Sequence, residues 1–504
     1  MLLEFPRPVA IAILIATGSV LACLIPLGIH RLWLMRMWKR GMRVVARDPD
    51  LMVSGSRVAE FEGAPGAGGS PPAQPFVTVQ LPVFEEPHVV MRLIDAATRL
   101  SYPRDRFEVQ ILDDSGPATA LLAAEAAARA VERGVSVRHI RRGTREGFKA
   151  GALAHGLKMA RGEFLMVLDA DFIPAPDLIE RLITEFKDPG VGMVQARWGH
   201  LNRDESRLTR AQSVFLDAHF TWEQGGRFRG GRFFNFNGTA GIWRRSCLED
   251  AGGWSAETLT EDLDLSYRAQ MKGWRFVYRD EVAVPSELPP TVPALQVQQG
   301  RWAQGGVQTA RKILPTLLRS RWPAAIKIEA VAHLLGHLAH PLTLALGLLL
   351  LPSALARRSL GLERFLILDL ILFAGATAPF LLFYGRAGRM AGRAWRDVLP
   401  DTLGALAVGI GLSVSVSRSV LRGLLGSHDP FERTPKWGDC GRPPNSRQGR
   451  STRRSTNRAL ELAVGTYLGA AAVFAIFAGL PASLPFLVLF STGYLWLGSA
   501  SQTV

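Results

Sequence analysis

The chain is strongly apolar near both ends and of ordinary polarity between them, and no other feature limits its possible folds so much. Residues 9–29 carry no charged side chain and are long enough for the ~20 residues a bilayer crossing needs. Arg31, Arg36, Lys39, Arg40, Arg43 and Arg47 follow instead of a small-residue cleavage site, so the stretch reads as an anchor rather than a secretory leader. Basic residues hold a helix end in the cytoplasm, so the chain should run inward from Met1. Apolar stretches return at 331–352, 363–384, 459–479 and 483–500. Another, 399–421, is rich in Gly and Ser and charged at both ends. If it crossed fully, the basic loops 385–396 and 442–458 would face opposite sides, against the tendency of such loops to be cytoplasmic. It is therefore expected to be an interfacial or re-entrant helix, leaving five spans with the amino terminus outside.

The basic excess follows the same division. The formal charge is +15, and much of it lies in loops beside the spans, where it sets orientation and meets anionic lipid rather than nucleic acid. With 48% hydrophobic and 20% charged residues the chain is neither a disordered tail nor a coiled coil. Cys23, Cys247 and Cys440 lie far apart and form no CxxC, which excludes a disulfide scaffold and a thiolate zinc site.

Residues 54–75 form a linker of Gly, Pro and Ala with nothing to pack. From 76 to about 285 short apolar runs recur, at 76–84, 109–114, 135–142, 164–171 and 191–198, and stretches of helical spacing (88–100, 118–133, 150–161) separate the first four. Strands alternating with helices predict βαβ units and a mostly parallel sheet, whose ligands sit at the carboxyl ends of the strands. Two strands end there in acidic pairs, Asp113-Asp114 and Asp169-Ala-Asp171.

Asp169 and Asp171 alternate along an extended end, so both carboxylates can face one cation. Mg²⁺ or Mn²⁺ takes a few carboxylates plus phosphate oxygens. A lone DxD is equally the pattern of a solvated strand end. Asp113 and Asp114 could accept hydrogen bonds from a ribose or base, or could simply be turn-forming residues at a strand exit. Lys149 opens a helical stretch and can offer charge to a diphosphate or to solvent. Glu261 and Asp262 follow Thr260 at a helix start, where acids are favoured by up to ~1 kcal/mol whatever else they do; Asp262 is also a candidate general base. Gln298, Arg301 and Trp302 could pair with phosphate and stack on a sugar, or form a juxtamembrane belt.

Taken in order, Asp113, Asp169-x-Asp171, Thr260-Glu261-Asp262 and Gln298-x-x-Arg301-Trp302, set between membrane segments, resemble the inverting family 2 glycosyltransferases of the cellulose-synthase type. The stretches QILDDS, KAGAL, FNGTAG (236–241), DAGGW (250–254) and TEDLDLSYRAQMKGWRFVY look most like the glucomannan or mannan-synthase-like branch. Phe431-x-x-Thr434-x-Lys436 looks like the gating loop of cellulose synthases. The resemblance covers about 76 to 436. In two places the sequence departs from the family pattern: Glu85-Glu86 stands where the nucleotide loop has Asn before Glu, and Arg433 stands where the gating motif has valine. One span precedes the soluble part and no carboxyl-terminal regulatory domain is expected, so a cyclic-dinucleotide switch is not expected either.

The resemblance implies an α/β GT-A domain inserted between transmembrane helices: a first helix (1–30), a cytoplasmic linker (31–75), the catalytic domain (76–290), interfacial helices with QxxRW (291–330), two spans (331–384), the interfacial helix (399–421), a cytoplasmic gating-like and basic segment (422–458) and two spans (459–500). It further implies that Asp113, Asp114, Lys149, Asp169 and Glu86 bind the nucleotide sugar, that Asp169 and Asp171 hold Mg²⁺ or Mn²⁺, and that Asp262, with Glu261, takes the acceptor proton. Gln298, Arg301, Trp302, Asn237 and Gly238 would line the acceptor and diphosphate side, and Phe431, Thr434 and Lys436 would close over the donor. The expected activity is inverting transfer of a hexosyl group to a growing β-glycan, with the product passed through the membrane. UDP-glucose is the favoured donor and GDP-mannose the alternative. Single-sugar transfer to a lipid, and a non-catalytic transporter or scaffold, are the competing readings. The expected location is an inner or plasma membrane with the catalytic domain cytoplasmic; subunit number is not legible.

Overall fold

A computed structural model describes residues 4–47, 74–362, 366–427, 433–434, 436–438 and 452–500. Phe431 and the start of the expected span 363–384 lie outside the described residues.

The soluble part is built on a seven-stranded sheet: β1 (Val77–Val83), β2 (Phe107–Asp113), β3 (Val137–Arg141), β4 (Phe164–Val167), β5 (Val191–His200), β6 (Gly241–Arg244) and β7 (Arg275–Ser286). Their order is β3-β2-β1-β4-β6-β5-β7. The first four strands are parallel, as the alternation of strands and helices predicts. The remainder is mixed, because β6 runs antiparallel to both β4 and β5. Every residue of β2 and β4 is buried, as expected of strands covered on both faces. One buried charge in that layer is satisfied: Glu108 accepts from Thr78 Oγ1 at 2.7 Å and from the Arg161 backbone N–H and Nε at 2.8 and 2.9 Å.

Parallel register fixes where chemistry can occur. Val83 pairs with Asp113 and Gln80 with Val167, so the exits of β1, β2 and β4 open on the same edge of the sheet. The residues just beyond them, Glu85-Glu86, Asp114 and Asp169 to Asp171, are carried to one place by that geometry alone.

The helix Arg7–Arg47 is continuous, so residues 31–47 extend the first helix rather than beginning a linker. Four described helices are long and apolar enough to cross a membrane: Arg7–Val44, Gly336–Ser359, Thr456–Phe477 and Pro481–Ala500. They expose bare apolar side chains, among them Ile15, Leu348, Ile476, Phe477 and Val488, as lipid-facing surfaces do. The helix Leu366–Met390 covers most of the expected third span. Residues 399–421 do not form one helix. Trp395–Gly411 and Ser413–Leu425 meet at a 50° bend, a broken span or a re-entrant element. The bend falls where small residues let backbones approach: a Cβ on Gly411 would stand 2.6 Å from the Gly493 carbonyl, and one on Gly493 would stand 2.6 Å from that of Ala407.

The helix Val292–Arg319 carries Gln298, Arg301 and Trp302. Its start follows from the sequence: Pro293 sits in the first turn, and the Thr291 hydroxyl accepts from the Ala294 N–H. Gln298, Arg301 and Trp302 face the open edge of the sheet.

Candidate active site

Above the exits of β1, β2 and β4 lies a cleft that opens to solvent. Its walls hold Glu86, Asp114, Lys149, Asp169, Asp171, Asn237, Gly238, Glu261, Asp262, Gln298, Arg301, Trp302, Thr434 and Lys436. Residues more than 300 positions apart in sequence thus share one cavity.

Asp113 is the exception. It is 1% exposed and does not face the cleft. Its Oδ1 accepts from the Ser115 N–H at 2.8 Å, and its Oδ2 meets His139 Nε2 at 2.9 Å. Burial works against its charge, yet these hydrogen bonds win and hold its pKa below the usual carboxylate value. Its carboxylate is already engaged as a strut across the β2–β3 exit, which corrects the expectation of a nucleoside contact. Side chains alternate along a strand, so Asp114 points the other way and forms the wall, gripped by Arg142 through Nε at 2.8 Å and through Nη2.

Lys149 enters the cleft from the start of the helix Phe148–Met159, after a sharp turn in which Phe148 takes φ +49°. A positive φ at a bulky residue costs of order 1–3 kcal/mol and is held only where surrounding contacts enforce it. Lys149 Nζ lies 2.6 Å from Asp169 Oδ1 and donates to the Gly238 carbonyl at 3.0 Å. Burial disfavours its charge, but Asp169 and Glu261 outweigh that and raise its pKa. The 236–241 turn also braces the acidic loop, since the Asp169 N–H donates to Thr239 Oγ1 at 2.8 Å.

Glu261 and Asp262 open the helix Glu261–Met271. Burial, helped by the charge of Glu261, pushes the Asp262 carboxyl up to about 7, with Lys149 opposing. Its Oδ1 accepts the Leu263 N–H at 2.8 Å. Oδ2 faces Gly238, whose φ is +82° and where a Cβ would stand 3.0 Å from that oxygen and 3.4 Å from Lys149 Nζ. A carboxyl that titrates near neutrality beside a lysine is suited to taking a proton.

Asp171 is buried and meets Lys436 Nζ; its own burial is the main force raising its pKa. Among the described residues no group of three or more His, Cys, Asp or Glu could hold a metal ion. Asp169 and Asp171 supply only two carboxylates, the all-oxygen set that suits a hard cation sharing its shell with phosphates. They fit Mg²⁺ or Mn²⁺ if a diphosphate completes the coordination. The lysine on each carboxylate marks the same spot as one where positive charge is already favoured.

Of the two departures from the family pattern, Arg433 lines the cleft and Glu85 does not. Arg433 pairs with Glu86 at 2.5 Å, and burial raises the Glu86 carboxyl to about 7 despite Arg433 and Lys436. Glu85 turns away at φ +52° and accepts the Gly116 N–H at 2.7 Å, tying the exit of β1 to that of β2. Sequence reasoning missed Glu287, which accepts the backbone N–H groups of Trp437 and Gly438 at 3.2 Å each and also pairs with Arg92. It missed Arg145 as well, whose guanidinium lies 3.3 Å over the Phe84 ring. No local spacing signals either residue; an isolated Glu in a Pro-rich exit and an Arg in a basic turn look ordinary. Trp302 sits 6.4 Å from Trp198 between ring centroids, and Trp198 lies against Phe172 and Phe220, an aromatic wall of which the sequence reading named only Trp302.

Residues 72–305 match the family described as Glycosyltransferase like family 2. Glucomannan 4-beta-mannosyltransferase 1 of Oryza sativa subsp. japonica is 38% identical over 324 residues, covering 62% of this chain and 61% of that protein. Glucomannan 4-beta-mannosyltransferase 2 of Arabidopsis thaliana is 40% identical over 287 residues, covering 55% and 54%. A solved mannosyltransferase from Pyrobaculum calidifontis in complex with GDP-Man and Mn²⁺ superposes with a TM-score of 0.48 at 20% identity, covering 84% of this chain and 99% of that one. The chain spans between about half and three-fifths of the length of these two curated relatives. The similarity to glycosyltransferase like family 2 is carried by residues 72–305, a little under half of the chain.

Proposed function

We propose that the chain transfers a mannosyl group from GDP-mannose to a growing β-glycan, with inversion at the anomeric carbon. The observation that carries this reading is the convergence of Asp169, Asp171, Asp262, Arg301 and Trp302 on one cleft. The names of the curated relatives support mannose as the sugar, so the earlier preference for UDP-glucose gives way to GDP-mannose. The membrane-length helices support a membrane-bound synthase, and the basic residues at the end of the first of them support a cytoplasmic catalytic domain.

Asp169 and Asp171 would hold the divalent ion, which when bound neutralises the diphosphate leaving group. Lys149 and Arg301 supply further positive charge to the same diphosphate, and Asp114 and Arg145 sit at the nucleoside end. The acceptor sugar rests on the Trp302 face, so that its hydroxyl points at Asp262. The Asp262 carboxylate takes the hydroxyl proton as the oxygen attacks the anomeric carbon, and the nucleoside diphosphate departs from the opposite face. Thr434 and Lys436 roof the donor and exclude water that would otherwise hydrolyse it. The Thr434 hydroxyl is buried there with no hydrogen-bond partner among the described residues, as a group awaiting a phosphate oxygen would be.

The test is incubation of the full chain in lipid nanodiscs with labelled GDP-mannose or UDP-glucose and Mn²⁺, followed by sizing and mannanase digestion of the product. A mannanase-sensitive polymer from GDP-mannose is expected. Label from UDP-glucose alone would overturn the donor assignment, and a product one sugar long would overturn the polymer.

A further inference from the structure

Beneath the acceptor side of the cleft a chain of polar groups joins the first membrane helix to the catalytic residues. The helix Arg207–Ala218 widens into a π-helical segment, His219–Gln224, before continuing as Gly225–Arg229. π-helical turns are rare and concentrate at functional sites. This one directs His219 inward. His219 Nδ1 lies 2.9 Å from Glu223 Oε2, and its Nε2 lies 3.1 Å from Asn237 Nδ2. Glu223 in turn pairs with Arg31, on the first helix, and lies 3.8 Å from Arg227. Gln224 Nε2 donates to the other end of the Asn237 side chain, Oδ1, and to the Asn235 carbonyl.

The hydrogen-bond pattern assigns the roles. With Asn237 Oδ1 taken up by Gln224, its amide nitrogen must face His219 and donate to Nε2, which requires a neutral ring carrying its proton on Nδ1 toward Glu223. Burial, reinforced by Arg227 and Arg31, keeps the ring neutral, with a pKa of about 3. Asn237 keeps one N–H and one lone pair unspent and lines the cleft, the donor and acceptor set that a sugar hydroxyl requires. Its backbone N–H is anchored to Gln195 Oε1 at 2.9 Å, and the next residue is Gly238, whose carbonyl accepts from Lys149 and where a Cβ would stand 3.0 Å from Asp262.

We propose that His219 is a positioning residue for the acceptor: through the Glu223–His219–Asn237 relay it fixes the Asn237 carboxamide and the Gly238 turn against which the incoming hydroxyl meets Asp262. The relay rests on the transfer reading above and adds to it a residue outside the cleft that sets acceptor geometry without touching the donor.

The experiment compares wild type, His219→Phe and His219→Gln of the full chain in nanodiscs, using β-1,4-mannohexaose as acceptor probe. Phe keeps the ring volume and removes both hydrogen bonds; Gln restores an acceptor oxygen for Asn237. His219→Phe should raise the acceptor KM at least tenfold while calorimetric affinity for GDP with Mn²⁺ stays within twofold, and His219→Gln should recover most of the loss. An unchanged acceptor KM in His219→Phe, an equal fall in GDP affinity, or no rescue by Gln would each overturn the relay. Calorimetric binding of the hexasaccharide separates the two ideas. If wild type transfers no sugar yet binds the hexasaccharide, and His219→Phe loses that binding, the transfer reading fails and the relay stands; if binding is the same in both, the relay fails.

Discussion

Asp262 gives the sharpest test because its state is set by named neighbours. Burial and the Glu261 charge raise its carboxyl to about 7, so the site should become active as pH rises through neutrality. A general base works only when deprotonated. With a midpoint near 7, its ionised fraction climbs from roughly one tenth at pH 6 to roughly nine tenths at pH 8, so kcat/KM for the donor should rise about tenfold over that interval and then level. Glu261→Gln removes the like charge that, after burial, most disfavours ionisation of Asp262. That variant should shift the limb to lower pH, raising the rate at pH 6 relative to pH 8. Asp262→Asn should remove the limb and lower turnover by about 10²–10⁴-fold while leaving donor binding nearly intact. The assay is sugar transfer in nanodiscs across pH 5.5–8.5, with donor affinity measured in parallel. A rate flat from pH 6 to 8, or a limb that Glu261→Gln does not move, would refute the assignment; so would wild-type turnover by Asp262→Asn.

Asp171→Ala should abolish the Mn²⁺-dependent part of GDP-mannose binding in calorimetry, and metal-independent binding should persist. Gly238→Ala and Gly253→Ala both place an L side chain at positive φ, and strain of about 1–2 kcal/mol is expected of each in thermal unfolding. Only Gly238→Ala also confronts Asp262 and Lys149, since a Cβ on Gly253 has nothing within 4 Å, so only Gly238→Ala should lose transfer. Gly411→Leu should separate the helices Trp395–Gly411 and Leu484–Ala500 and lower the unfolding midpoint in detergent, by an overpacking cost of about 1–3 kcal/mol.

Much of the candidate site was legible because each acid lies immediately after an apolar run or at a helix start. Such positions mark strand exits and helix amino termini, and parallel register must carry the exits to one edge. Asp113 was misread for the reason Asp114 was not: adjacent residues at a strand end point in opposite directions, and the sequence does not say which one meets His139. Glu287, Arg145 and His219 gave no local signal, since their partners Trp437, Phe84 and Asn237 lie 150, 61 and 18 positions away. The 50° bend near residue 412 was also out of reach, because it depends on which backbone approaches Gly411.

The order of residues alone marks which segments are apolar enough to enter lipid, which pack as strands, and which acids emerge at the sheet edge, because hydrophobic period and charge act over a few residues at a time. What each of those acids meets was settled by the closed fold: Asp113 a histidine outside the cleft, Glu86 Arg433, Asp171 Lys436 at the spot where a cation would sit, and Asp262 a buried place that raises its carboxyl to about 7. Those outcomes depend on desolvation and on charges brought close from far along the chain, and both exist only once the fold has closed.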